Sequence, residues 1–300
     1  MKRLAILVIL LSLFSMFSGC QPQFQPGTYT DDIGRSVSIS KIPQRVVSGV
    51  PSITEILFAL GVEENVVGVS DYSDYPEAAK SKPSIGSYFK PSVEKIVDLK
   101  PDLVLTNGSS KELLIQLDSL KIPYLVINPK DIPAILKDIE LLGKVTGAES
   151  RAKTVVKDMQ DRISRVSTTV KDAPRVKTFY TFATTDLNNP WTAGHGSFID
   201  SLITIAGGEN IAANLQSPYA QISIEAVVSA DPAIIIGDAS MGSAVTQLGA
   251  IKQHTVWSQM AAVKQNRVYL IDGNLVNRSG PRIVQGLEEV AKMIHPELFK

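Results

Sequence analysis

Few side chains in this 300-residue sequence have the types and spacing that bond-making chemistry needs. Three histidines, His195, His254 and His295, stand far apart, which argues against a transition-metal site built from several imidazoles. The phosphate-cradling G-x-x-x-x-G-K-[ST], the fingerprint G-x-G-x-x-G, the nucleophile elbow G-x-S-x-G and the zinc pair H-E-x-x-H are all missing. What the chain does carry is aromatic and polar residues in turn-rich segments. Asp71, Tyr72 and Tyr75 stand in SDYSDYP (70–76), and Tyr88 and Phe89 in GSYFKP (86–91). Phe182, Trp191 and His195 stand in FATTDLNNPWTAGHGSF (182–198), with Tyr219 and Arg278 further on. Flat rings with hydroxyl handles suit non-covalent capture of a bulky ligand. Any one ring is as readily a core residue; as a group they point to a pocket. His195 lies between glycines, where backbone freedom lets an imidazole reach into a cleft or simply face solvent. A hydrolase or other enzyme working through His195 is the reading from a different class, although nothing singles out a partner carboxylate.

Two glutamates form a second pattern. SVEKIVDLKPDLVL (92–105) and SIEAVVSADPAIII (223–236) each place one third, Glu94 and Glu225. A shift of 131 residues carries Ser92, Glu94, Val97 and Pro101 onto Ser223, Glu225, Val228 and Pro232, and Tyr88 onto Tyr219 without a gap. Five identities at one offset predict two related lobes, and a cleft between lobes is a common place for a small-molecule site. A carboxylate near a helix start gains about 0.3–1 kcal/mol from the helix dipole, but that gain alone does not require two matching copies.

The elements that would position these residues alternate between strand and helix. In the first half, β-branched runs at Arg45–Val50, Val66–Val69, Leu103–Thr106 and Tyr124–Asn128 read as strands. Helical periodicity falls between and after them, at Val93–Leu99, Lys111–Leu120 and Ile132–Thr146. Ser52 with Glu55 three residues on reads as a capping box opening a helix that runs to Gly61. The second half repeats the alternation, with strands at Val176–Phe182, Ala233–Ile236 and Val268–Asp272. Its helices are expected at Ser197–Ala206, from Glu225 to Ser229, and at Pro281–Ile294. Such alternation predicts α/β lobes with mainly parallel sheets. Between the halves, Ala152, Val155, Val156, Met159, Ile163, Val166 and Val170 recur every three to four residues up to Pro174. This predicts a helix of about 23 residues, roughly 34 Å long, as a strut between lobes.

The N-terminus, MKRLAILVILLSLFSMFSGC, has two cations, an apolar run short for a membrane span, and small residues before Cys20. It reads as an export signal over 1–19 ending in a lipobox, which would make Cys20 the lipidated first residue; an ordinary secretory signal is the simpler alternative. With the only cysteine acylated, no thiol remains for a disulfide or a thiolate site. The expected organisation is a lipidated tether and leading hairpin over 20–44, an N-terminal lobe over 45–147, a linking helix over 148–173 and a C-terminal lobe over 174–300. The 44% apolar content can bury a sizeable core, and 30 basic against 30 acidic residues leave no cationic stripe for nucleic acid. A lipid-anchored adhesion or scaffold module, binding no small ligand, is a third class of reading.

The lipobox, TDDIGRSVSI, RVVSGVPSITEILFALG, VGVSDYSDYP, PSVEKIVDLKPDLVL, AGGEN and GPRIVQGLEEVAKMIHPE together resemble the substrate-binding lipoproteins of ABC importers for metal chelates. That family serves uptake of cobalamin, haem and ferric siderophores, and the resemblance covers nearly all of the mature chain. It implies an α/β fold of two Rossmann-like lobes bridged by a single long α-helix, the class III periplasmic-binding-protein fold. It implies no catalysis and no resident cofactor, with a permease dimer and its cytoplasmic ATPase as partners. It implies that Glu94 and Glu225 dock onto permease arginines. DYSDYP looks like the segment that offers an aromatic to the corrin in cobalamin-binding members, although Tyr88 stands where those members often have Trp. Anionic siderophores or haem propionates would call for a cation cluster, and the candidate loops have few, mainly Lys90, Arg278 and Arg282. Cobalamin or another corrinoid is therefore the expected ligand. Haem would need an axial ligand, with Tyr72, Tyr88 and His195 the candidates.

Overall fold

A computed structural model describes residues 24–182, 186–241 and 244–299. An antiparallel hairpin, β1 (Gly27–Thr30) and β2 (Ser36–Ile39), opens it. Its turn is built by Asp31, whose buried carboxylate accepts from the backbone N–H of Ile33 (3.2 Å), Arg35 (2.8 Å) and Val126 (3.2 Å). The last of these bonds docks the hairpin onto the first sheet.

The N-terminal lobe follows as β3 (Val46–Ser48), α1 (Pro51–Ala59), β4 (Val66–Val69), the short hairpin β5 (Gly86–Ser87) and β6 (Lys90–Pro91), and α2 (Val93–Asp98). β7 (Leu103–Thr106), α3 (Lys111–Ser119), β8 (Tyr124–Val126) and α4 (Ile132–Thr146) complete it. The linking helix α5 (Glu149–Thr169) leads to β9 (Val176–Thr181), β10 (Trp191–Ala193), α6 (Phe198–Ile205), β11 (Gly208–Asn210), β12 (Tyr219–Gln221) and α7 (Ile224–Ala230). The C-terminal lobe ends with β13 (Ile234–Asp238), α8 (Ala244–Gln253), α9 (Ala261–Lys264), β14 (Val268–Ile271), α10 (Gly273–Asn277) and α11 (Ile283–Ile294).

The main sheets are four-stranded and parallel, ordered β4-β3-β7-β8 and β11-β9-β13-β14. Counted along each lobe, both orders are second, first, third, fourth. The 131-residue offset reaches into local detail. Ser92 and Ser223 each cap their helix by accepting the N–H three residues on, at 3.3 Å in both. Lys100 and Asp231 both take the left-handed conformation that turns the chain toward the third strand, at φ 47 and 44. The strands are apolar runs because helices cover both sheet faces.

The linking helix has 21 residues, about 32 Å. Ala152, Val156, Met159 and Val166 are buried, with Val155 and Ile163 packed beside them. Gly147, at φ 74, ends α4 and turns the chain directly into this helix. Arg162 then braces it to the last helix with a two-pronged bond to Glu288, at 2.8 and 2.7 Å. No helix among the described residues is long and apolar enough to cross a membrane.

Two expectations need correction. The capping box at Ser52 and Glu55 does not form: the helix begins at Pro51, two residues earlier than a Ser52 cap would start it, with Val50 as its N-terminal neighbour and no side-chain cap. Proline's fixed φ suits the first helical position, and Glu55, in the second turn, is buried. The segment after β9 is not all loop, since β10 pairs antiparallel with β12. Three-residue strands among Pro, Asn and Gly carry too little periodicity to be read.

Candidate functional site

The N-lobe wall of the candidate cleft grows from the loop after β4. Ser70 and Ser73 are buried and join a chain of hydroxyls, Ser70–Ser73 (3.0 Å), Ser73–Thr54 (3.0 Å) and Thr54–Ser48 (2.7 Å). This chain pins the loop to β3 and α1 and leaves Tyr72 outside, 55% exposed. Tyr72 meets Tyr88 edge-on with ring centroids 5.7 Å apart, and Tyr88 leans on Phe89 at 4.0 Å. Phe89 is 67% exposed, so the three rings form an apolar step facing solvent. Asp71 serves as a strut, accepting from the Ser84 hydroxyl while its backbone N–H reaches the Gly86 carbonyl at 3.0 Å.

The C-lobe wall is the β10–β12 ribbon. Its register sets Trp191 opposite Gln221 and Ala193 opposite Tyr219, so Trp191 and Tyr219 share one face as diagonal neighbours. Phe182 lies behind, 6.0 Å from the Tyr219 ring and 5.2 Å from that of Tyr180. Tyr180 is anchored through Asp238, a buried carboxylate with four donors. These are the Tyr180 hydroxyl (3.0 Å), the Asn277 amide (2.7 Å), and the backbone N–H (2.8 Å) and hydroxyl (2.6 Å) of Ser240. Burial, then the Asp238 charge, pushes the Tyr180 hydroxyl well above the usual tyrosine range, which keeps it a donor. A Cβ on Gly273 would lie 2.1 Å from Asp238 Oδ1, so α10 starts on glycine to let the chain pass this carboxylate. His195 follows β10 with its side chain 83% exposed, and its Nδ1 lies 3.4 Å from Asp200 Oδ2. Asp200 is itself held by the Asn210 amide at 2.9 Å.

Arg278 joins the lobes. Its Nη1 donates to Glu55 Oε1 (3.0 Å) and Asp74 Oδ1 (2.7 Å), and its Nη2 donates to the Tyr72 carbonyl (3.3 Å). Arg282 adds Nε to Glu55 Oε2 (2.9 Å) and Nη2 to Oε1 (2.6 Å), and its guanidinium stacks 4.0 Å from the centre of the Tyr75 ring. Glu55, its side chain 1% exposed, is therefore an N-lobe carboxylate gripped by two C-lobe arginines. Burial raises the Asp74 carboxyl, but the hydrogen bond and charge of Arg278 outweigh it and hold the group below the usual carboxylate range.

The structure thus assembles Tyr72, Tyr88 and Phe89 on one lobe and Phe182, Trp191 and Tyr219 on the other. Arg278 touches the Tyr72 backbone, whereas Tyr75 turns to Arg282. Sequence reading did not find Glu55 as an inter-lobe residue. Its signal was a carboxylate inside the apolar run ITEILFAL, where solvation alone cannot satisfy it. Glu94 and Glu225 are both exposed, at the second position of α2 and of α7. Cys20 and residues 1–19, the expected signal segment, lie outside the described residues. Among the described residues, no group of three or more His, Cys, Asp or Glu is assembled that could hold a metal ion.

Two parallel-sheet lobes of matching order joined by one long helix define a protein of class III periplasmic-binding architecture. A family model described as periplasmic binding protein matches residues 46–275, and the chain belongs to that family. These are substrate-binding proteins of ABC transporters, not enzymes. An uncharacterized ABC transporter substrate-binding lipoprotein of Bacillus subtilis is 33% identical over the whole of this chain and 99% of its own length. A vitamin B12-binding protein of Pectobacterium carotovorum is 30% identical over 84% of this chain and 89% of its own. Among solved structures, the periplasmic heme-binding protein RhuT of Roseiflexus superposes with a TM-score of 0.76 at 26% identity, over 85% of this chain and 99% of its own.

Proposed function

We propose that this protein captures cobalamin or a related corrinoid and delivers it to the permease of an ABC importer, whose ATPase supplies the energy. The observation that carries the reading is the charge state of the cleft. Of the three cations near the candidate loops, Arg278 and Arg282 are already neutralised by Glu55 and Asp74. That leaves exposed Lys90 as the main cation on offer to propionates or to the anionic groups of a siderophore. A bulky, amide-rich corrinoid instead suits tyrosine faces and hydroxyls, with rings from both lobes against the macrocycle. The vitamin B12-binding relative supports the same choice. Lipidation at Cys20 would hold the protein on the outer face of the cell membrane, as the name of the Bacillus relative suggests.

A second reading, haem, rests on His195. Asp200 beside Nδ1 would fix the tautomer that leaves Nε2 free as an axial donor. Calorimetric titration of the purified protein with cyanocobalamin, haemin and representative ferric siderophores separates these readings. Cyanocobalamin is expected to bind with a dissociation constant of about 1 μM or tighter, roughly −8 kcal/mol. Haemin or siderophore binding at that level, with no heat from cyanocobalamin, would overturn the ligand assignment.

A further inference from the structure

The described lobes meet at a contact that is polar and, on one side, hollow. A cavity of about 700 Å³ lies between α1, the Tyr75–Ala78 segment, the linking helix and the start of α11. Glu55, Tyr75 and Arg282 form part of its wall. Elsewhere the two lobes are braced mainly through the linking helix, which packs on α4 in one lobe and on α11 in the other. The Glu55 cluster is therefore a direct tie between lobes, and its chemistry differs from that of a packed core.

Three features set its behaviour. Both Glu55 oxygens are taken by arginines, and the side chain has almost no water contact, so drawing the arginines away would strand a buried charge. The adjoining cavity is large enough to hold water that could solvate the carboxylate once it is released. The same Arg278 guanidinium that holds Glu55 also holds the Asp74 carboxylate and the Tyr72 carbonyl, two points on the loop that presents the N-lobe aromatic step. The hydroxyl chain keeps this loop on the N-lobe, so it cannot follow Arg278 if the C-lobe moves. Asn277, next to Arg278, is fixed by buried Asp238, so the arginine moves with the C-lobe sheet. The contact is dry and paired as it stands, and parting the lobes would exchange it for a hydrated, separated one.

We infer that Glu55, Asp74, Arg278 and Arg282 form an inter-lobe latch that ties the spacing of the lobes to the pose of Tyr72, so that releasing a ligand and parting the lobes are one event. Arg278 and Asp74 are positioning residues in this scheme, acting on the ligand through the Tyr72 loop. The latch does not depend on which chelate is bound; only the dissociation measurement below rests on the corrinoid reading.

Two variants of the full lipoprotein in detergent test it. Arg278→Gln removes the charged link, and Asp74→Asn weakens one half-exposed contact without leaving a buried charge. In ligand-free protein, amides of residues 72–75 are expected to exchange with deuterium about tenfold faster in Arg278→Gln and a few-fold faster in Asp74→Asn, with the β3 and β9 amides unchanged as a folding control. With cyanocobalamin as probe, dissociation is expected to quicken by about the same factors, while association changes less than about twofold. Spin labels at Lys111→Cys and Gln259→Cys, one on each lobe, are expected to report a broader distance distribution in Arg278→Gln. Unchanged exchange and distances would overturn the latch; loosened loops with unchanged dissociation would overturn its coupling to release. If cyanocobalamin does not bind wild-type protein, the ligand assignment fails, and the exchange and distance measurements still judge the latch.

Discussion

Asp138 sits on the buried face of α4. Burial, then the charge of Asp32 and a hydrogen bond to it, lifts its carboxyl to about 8, with Lys137 only partly opposing. At neutral pH the native protein therefore keeps a proton that the unfolded chain releases near the ordinary value of 3.8. The sign is the reverse of a salt-bridged carboxylate: stability falls as pH rises from about 4 to about 8 and levels off above that. Asp138→Asn keeps the group neutral, so thermal melts across this range should show the variant gaining on wild type as pH rises. A constant difference between the two would count against the shifted proton. Asp74 behaves oppositely. Its contribution is present above the ordinary carboxylate range and is lost only as pH falls through its lowered value. Glu55 shows why such roles escape a reading of residues alone: its type was plain, but its partners lie more than 200 residues away.

At the scale of elements, α4 and the linking helix approach closely because Gly143 faces Ala152. A Cβ on Gly143 would come within 2.4 Å of the Ala152 Cβ, and neither helix backbone can yield easily. Gly143→Ala should therefore lower stability by about 1–3 kcal/mol in denaturant melts, as overpacking does, although alanine is the better helix former. A variant as stable as wild type would mean that the helices can slide apart. The helices and strands themselves were largely legible. Val66–Val69, Leu103–Thr106 and Ile132–Thr146 appear with the expected bounds, because long apolar periodicity and flanking turn residues act locally. β10, β12 and α10 were not legible. They are short, and their conformation is set by pairing across the ribbon and by the Asp238 carboxylate.

At the scale of the molecule, the two lobes present Glu94 and Glu225 from equivalent helices with equivalent serine caps. If these carboxylates dock onto a two-fold permease, Glu94→Lys and Glu225→Lys should leave ligand titrations unchanged. Each should lower permease-coupled uptake by about tenfold, near 1.4 kcal/mol, with the double variant lower still. Normal uptake by the double variant would remove docking from the account. The amino-acid sequence by itself determined the alternation of strands and helices, the linking helix and the doubling of the lobes, since each is written in local periodicity or in a fixed offset. It also marked the aromatic segments as candidates. Only the tertiary structure decided which rings share a wall and which arginines are already spent. It also placed Glu55 between the lobes rather than at a helix cap. Those outcomes depend on side chains brought together across hundreds of residues, where burial makes an unpaired charge costly and so dictates its partners.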